Sequence, residues 1–250
     1  MFERMNGAGP EIYTFAGFCE ERILNFVTGR RGGVSHVPYD TLNTDANGGD
    51  SPASVRENLA RIKRAVGIEK LWTPKQVHQD TIAIVDGTAP SEEVEADAVI
   101  VATPGIAVGA RTADCLPLIV ADPSGAVACV IHAGRRSTEL GITAKAIALM
   151  AGRFNCGPSN LKVAIGPGIR LCCYEVDEAT AQRFDSCCGG GDGRYLDLAG
   201  ANMRQLASAG VKAENVVDCW ICASCENRSF FSYRKDGKVT GRFITGVMIL

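Results

Sequence analysis

Four short apolar runs crowd into the stretch 97–131, and they constrain this chain more than any other feature. They are 97–101 (Asp97-Ala98-Val99-Ile100-Val101), 106–110, 117–121 and 126–131. Each has strand length and is bounded by turn-forming residues, the signature of a short buried strand. A chain with four such runs must build its centre from a sheet.

The flanks supply strands and helices around that centre. Residues 12–27 open strand-like, and the Gly- and Asn-rich section from Thr28 to Asp50 reads as loop with tight turns. A helix then starts where Ser51 can cap it and Pro52 suits the first turn. Val55, Leu59, Ile62 and Val66 recur on one of its faces. Ser137 to Phe154 is Ala-rich and helical in period, and Asn160 to Ile165 reads as a strand. Further helices are expected at 177–185 and 199–209. The chain is expected to close with a hairpin: Phe230-Phe231-Ser232-Tyr233, a turn at Lys235-Asp236-Gly237-Lys238, then a strand from Arg242 to Leu250. This order predicts an α/β or α+β fold: a single compact domain over 1–250, with a mixed β-sheet flanked by helices. No Pro/Ser-rich linker or charge block divides it.

Bulk properties narrow the partners. A formal charge of -2 leaves no electrostatic footprint for nucleic acid. No apolar run reaches the roughly 20 residues of a membrane helix. The first residues, Met1 to Asn6, lack a basic segment followed by an apolar one, so a cytoplasmic location is expected. There most of the eleven cysteines stay reduced. Cys129, inside an apolar run, reads as a small core residue. Gly189-Gly190-Gly191-Asp192-Gly193 has no following phosphate-loop lysine and reads as a flexible loop.

Two of the three histidines, His78 and His132, fall where a strand ends or a loop begins, and Cys115 stands at another such position. A His, Cys, His set matches the three-ligand zinc centre that leaves a fourth position open. The long separations make spacing alone a weak signal. Cys219-Trp220-Ile221-Cys222-Ala223-Ser224-Cys225 is the rival. No fourth cysteine follows at iron–sulfur spacing, so the leading reading is a strand with buried cysteines, with a redox pair as the alternative. Arg30-Arg31-Gly32-Gly33-Val34-Ser35 could bind an anion, glycine letting the backbone approach and arginine supplying a donor fork. An exposed basic turn is the bland reading. Arg135 and Arg136 add positive charge just beyond His132.

Taken in order, these segments form a larger pattern. Arg31 to Ser35, Tyr39 with Leu42-Asn43, Lys75-Gln76-Val77-His78, Thr112 to Pro117, and His132-Ala133-Gly134 are followed by Ile165 to Gly168, Tyr174-Glu175-Val176, Tyr195 to Leu198, and Phe230 to Arg234. Together they resemble the YfiH/YlmD-like family, long labelled multicopper polyphenol oxidoreductase or laccase-like, from about residue 15 to 241. The resemblance implies a zinc site at His78, Cys115 and His132. It also implies purine nucleoside phosphorolysis, acting on adenosine, inosine, guanosine and methylthioadenosine with phosphate, together with adenosine deamination. On that reading Cys115, Arg31, Arg136 and Glu175 are candidate catalytic residues, and Arg31, Ser35, Asn43 and Gln76 candidate substrate-binding residues. Arg31→Ala is then expected to impair phosphorolysis. The family's usual His-Ala-Gly-Trp-Arg-Gly reads His132-Ala133-Gly134-Arg135-Arg136-Ser137 here, and Cys219 is extra to its usual C-terminal Cys-x-x-Cys.

Two other readings compete. The older label implies a copper-dependent polyphenol oxidase, but a multicopper centre needs many more histidines than three. A non-enzymatic, zinc-stabilised interaction protein would ordinarily need four protein ligands.

Overall fold

The apolar runs fold as strands of two stacked sheets, where the sequence led us to expect one. The structure is a computed structural model and describes all residues except Asn6, Ala8 and Gly190. The chain opens with β1 (Phe2–Arg4), β2 (Ile12–Phe15) and β3 (Ile23–Thr28), passes helix α1 (Pro52–Val66), and continues through β4 (Lys70–Trp72), β5 (Ile82–Val85), β6 (Ala98–Val101), β7 (Ile106–Thr112), β8 (Leu116–Ala121) and β9 (Ala128–Ala133). Then come α2 (Arg135–Glu139), α3 (Ile142–Phe154), β10 (Lys162–Ile165), α4 (Glu178–Cys188), the ribbon β11 (Gly191–Asp192) and β12 (Tyr195–Leu196), α5 (Leu198–Ser208), β13 (Val216–Asp218), α6 (Tyr233–Asp236) and β14 (Phe243–Ile249).

One sheet runs β1-β2-β3-β14-β7-β4 and the other β13-β10-β8-β9-β6-β5. Both are mixed: β4 joins β7, β5 joins β6 and β13 joins β10 in parallel, while the remaining ladders are antiparallel. Between them lies an apolar layer in which Phe15, Val108, Phe243 and Val247 of the first sheet meet Val85, Val99, Ile119 and Val130 of the second. The outer face of the first sheet is covered by α1 through Ile62 and Val66. The outer face of the second is covered by α3, α4 and α5 through Ile147, Met150, Phe184 and Leu206. Four layers result, helix–sheet–sheet–helix. A strand sandwiched on both faces has no polar side to show, which is why the runs are apolar throughout.

The helices lie close to their expected places. Pro52 occupies the first turn of α1 as anticipated, but Ser51 makes no side-chain capping bond. The segment expected as one helix over 137–154 divides into α2 and α3 at Gly141, whose φ of 79° is left-handed. The closing hairpin is not formed. Phe230 and Phe231 are buried but lie outside any strand, and Ser232 caps α6 by accepting from the Lys235 N–H. β14 pairs instead with β3 and β7, so both its ladders are already filled.

Candidate metal and ligand site

The site grows from strand register. β8 and β9 are antiparallel with Leu116 opposite Ala133 and Pro117 opposite His132. Cys115, immediately before β8, therefore comes beside Gly134 and the end of β9. His78 reaches the same point from the connection between β4 and β5. The ligand atoms of His78, Cys115 and His132 lie within 4.8 Å of one another, with His78 Nε2 and Cys115 Sγ 3.7 Å apart. A Cβ at Gly134 would stand 3.0 Å from His78 Cδ2 and 3.1 Å from Cys115 Sγ, close enough to press on both ligands.

Asp97, at the foot of β6, organises two of these residues. It is buried, and its carboxylate accepts from the backbone N–H groups of Val77, His78 and Gln79 at 3.2, 3.0 and 2.8 Å. Those bonds hold His78 in a left-handed conformation, φ 57°. The same carboxylate meets His132 Nδ1 at 2.7 Å, which leaves Nε2 of that ring for a ligand. Burial raises the Asp97 pKa, but His132 and the backbone donors outweigh it and the net shift is downward. Burial likewise opposes the Cys115 thiolate, yet the flanking His132 and His78 bring it down to about 6. Burial opposes charge on His132, but Cys115 and Asp97 raise it to about 9. Two imidazoles and a ready thiolate, braced by a carboxylate behind them, are a donor set suited to zinc.

A cavity of about 930 Å³ opens over this cluster. Arginines dominate its charge: Arg111, Arg135, Arg234 and Arg242 line it, with Gln76, Asp45, Tyr174 and Tyr233. Arg135 is held by Glu139 at 2.6 Å. Arg111 and Arg242 have no carboxylate partner within 4.0 Å among the described residues. Each donates instead to backbone carbonyls, Arg111 to Thr44 and Arg242 to Thr240 and Gly241. Burial lowers the Arg111 pKa, and Asp45 offsets part of that. Asp114 (φ 94°) is buried and accepts from Ser232 Oγ at 2.7 Å and the Arg234 N–H at 2.6 Å, tying the start of α6 to the cavity wall.

The structure brings His78, Cys115, His132 and Gln76 together at this cavity. The other candidates, Arg31, Ser35, Asn43, Arg136 and Glu175, lie off its lining. Arg31 is exposed and donates to the Arg228 carbonyl at 3.1 Å. Ser35 is buried in a network with Asp50 and Asn58. Asn43 is buried and shapes the loop, its Oδ1 accepting from the N–H groups of Asp45 and Arg242. Arg136 is exposed on α2, and its neighbour Arg135 reaches the cavity instead. Glu175 is engaged by Arg194 at 2.6 Å. Gln76 has both amide atoms bonded to the Arg111 backbone at 2.8 Å, so it braces that arginine. Ser137 is buried with a hydroxyl that finds no partner among the described residues. Sequence reasoning assigned no role to Asp97, Arg111 and Arg242, and marked Arg234 only as the end of a motif. Asp97 and Arg111 carried a signal: each is a charge set at the edge of an apolar run.

A family model described as multi-copper polyphenol oxidoreductase laccase matches residues 24–250. The chain belongs to this family. It is 38% identical over 224 residues to a purine nucleoside phosphorylase of Deinococcus radiodurans, covering 86% of this chain and 85% of that protein. It is 33% identical to a Corynebacterium glutamicum protein of the same name, covering 88% and 92%. It is also 31% identical to adenosine deaminase RL5 from an unknown prokaryotic organism, covering 84% and 87%. The crystal structure of YlmD from Geobacillus stearothermophilus superposes with a TM-score of 0.91 at 28% identity, covering 99% of this chain and 98% of that one. These relatives support an enzyme that processes nucleosides.

Proposed function

We propose that this chain is a zinc-dependent purine nucleoside phosphorylase with adenosine deaminase activity. The observation that carries the reading is the three-ligand His78, Cys115, His132 cluster at the floor of an arginine-lined cavity. Phosphorolysis breaks the bond between the ribose C1′ and the purine nitrogen and joins a phosphate oxygen to C1′. That reaction needs a place for a dianion beside a place for a nucleoside. Arg111 and Arg242 are guanidiniums without carboxylate partners and receive the phosphate; Gln76 fixes Arg111 through its backbone. Tyr174, whose phenol burial raises to about 12, stays protonated and offers a hydrogen bond and a ring face to the nucleoside. His78, Cys115 and His132 would hold a zinc ion, which would supply a Lewis acid for activating water in deamination at neutral pH. Asp97 keeps His132 oriented and its Nε2 available. Adenosine, inosine, guanosine and methylthioadenosine are the substrates, and the enzyme works in the cytoplasm. The copper oxidase reading is disfavoured because three histidines cannot populate a multicopper centre.

The test separates the two activities. Purified protein with adenosine and phosphate should release adenine and ribose 1-phosphate, and without phosphate should form inosine and ammonia. Arg111→Ala should raise the KM for phosphate at least tenfold, the loss expected for one charge-assisted contact of about 1.5–3 kcal/mol, and leave deamination within a factor of two or so. Equal loss of both reactions would remove Arg111 from the phosphate subsite. Absence of both products with zinc-loaded protein would end the reading.

A further inference from the structure

A second group of sulfurs lies apart from the cavity floor. Cys172 and Cys173, in the turn after β10, meet Cys222 and Cys225 of the segment after β13, and all four Sγ atoms lie within 4.8 Å of one another. Two of the separations are 3.8 Å, Cys172 to Cys225, and 3.4 Å, Cys173 to Cys225. A tetrahedral ion with Zn–S bonds of about 2.3 Å spaces its sulfurs by about 3.8 Å. A disulfide would need the sulfurs at about 2.05 Å, and the adjacent pair Cys172-Cys173 cannot easily close one. A four-iron cluster is larger than one ion and spreads its thiolates wider. Cys219, which the sequence grouped with Cys222 and Cys225, is elsewhere, its sulfur 3.9 Å from Arg170 Nη2. Two ligands, Cys172 and Cys173, are instead supplied from upstream, by a loop some fifty residues earlier in the chain.

The backbone around these cysteines is already organised. Gly168 pairs with Cys222 in a parallel bridge, and the Ala223 N–H donates to the Gly168 carbonyl at 3.0 Å. Arg170 grips Asp218 with two bonds of 2.7 and 2.8 Å and donates to the Ile221 carbonyl. These bonds join the segments at Gly168 and Arg170; at Cys172, Cys173 and Cys225 no ladder continues, so side-chain ligation would extend the fastening to the tips of the two turns. Both segments run on to the cavity wall, one through Tyr174 and the other through Tyr233 and Arg234.

We propose that Cys172, Cys173, Cys222 and Cys225 form a closed tetrathiolate zinc site that clamps these two segments and so holds one wall of the ligand cavity. It is structural in kind: four protein ligands leave no open position. It stands independently of the enzymatic reading, since it rests on sulfur geometry alone.

The experiment is metal analysis of the full chain purified under reducing, anaerobic conditions, without added metal. About two zinc ions per chain are expected, one for each site. Cys225→Ser and His78→Ala should each retain about one, and the double variant should retain almost none. Cys225 and Cys172 are exposed, so substituting either one spares the core. In the unaltered protein, both should resist iodoacetamide until a chelator is added, as bound thiolates do. Cobalt-substituted His78→Ala should show a thiolate-to-cobalt charge-transfer band severalfold stronger per bound cobalt than Cys225→Ser, whose remaining site holds the single thiolate of Cys115. Cys225→Ser should also raise the nucleoside KM severalfold while leaving the zinc of the His78 site in place. The proposal is overturned if the unaltered protein holds one zinc that Cys225→Ser keeps and His78→Ala loses. Prompt alkylation of Cys172 and Cys225 without chelator, or a Cys173–Cys225 disulfide in the native protein, overturns it equally. Loss of phosphorylase activity with two zinc ions present would count against the enzymatic reading and not against this one.

Discussion

Cys115 shows how far a single residue's chemistry depends on two neighbours. Its pKa is set by burial, which disfavours the thiolate, and by His132 and His78, which favour it more strongly and bring it down to about 6. A depressed pKa means the ionised form dominates above that value and is lost as pH falls through it. After zinc is stripped with a chelator, alkylation of the Cys115 peptide, followed by mass spectrometry, should rise through a midpoint near pH 6. Cys129, a thiol pushed up by burial alone, should stay unreactive across the same range. A Cys115 midpoint near pH 9, that of an ordinary thiol, would show that the histidines do not act on it. Gly134 makes a complementary test. Its φ of -75° is open to any residue, so Gly134→Ala carries no backbone strain. The new methyl would still meet His78 and Cys115 at about 3 Å. Zinc content should fall while the melting temperature of the metal-free protein stays the same; retained full zinc would mean the ligands have slack. Arg31→Ala, which the sequence alone marked as damaging, should leave turnover near normal because the side chain is exposed and off the cavity.

At the scale of elements, β14 is the organising strand of the first sheet. Its Gly246 sits opposite Phe26 of β3, and a Cβ there would come within 2.3 Å of the Phe26 ring. Phe26 is fully buried and has nowhere to retreat. Gly246→Ala should therefore destabilise the fold by about 1–3 kcal/mol, the usual cost of overpacking, read from chemical denaturation. An unchanged midpoint would show that the layer can yield. The cavity wall has its own fastening in Asp114, which receives Ser232 and the Arg234 N–H. Such junctions between elements fall in loops, where neither period-two nor helical patterning marks them.

At the scale of the whole molecule, the chain's net charge is slightly negative, yet the cavity collects four arginines. A positive cleft on a negative body draws anions locally. Exposed fields are screened over about 8 Å at physiological ionic strength, and less so inside a cleft. The KM for phosphate should therefore rise as salt increases from 20 to about 300 mM, while the KM for adenosine, a neutral substrate, changes little. A parallel rise in both would place the effect on stability or folding instead of on anion capture. The layered build explains why the arginines gather: their elements end at one edge of the two-sheet stack, where β7, the start of β14 and the turn into α2 converge.

By itself the sequence determined the local pieces. Apolar runs of strand length between 97 and 131 became β6, β7, β8 and β9, and the spacing of Val55, Ile62 and Val66 became the buried face of α1. The motifs around His78, Cys115 and His132 were visible too, as donor types in a loop, just before β8 and near the end of β9, and the structure brings them together. What only the tertiary structure decided was who meets whom. The number of sheets, the fate of the expected hairpin, and which arginines line the cavity, Arg111, Arg135, Arg234 and Arg242 with Arg31 and Arg136 outside it, all depend on strand order. So does the meeting of Cys172 and Cys173 with Cys222 and Cys225. Side-chain periodicity reports which face of a segment is buried. It carries no information on the partner that buries it, because apolar burial is non-directional and any apolar face satisfies another.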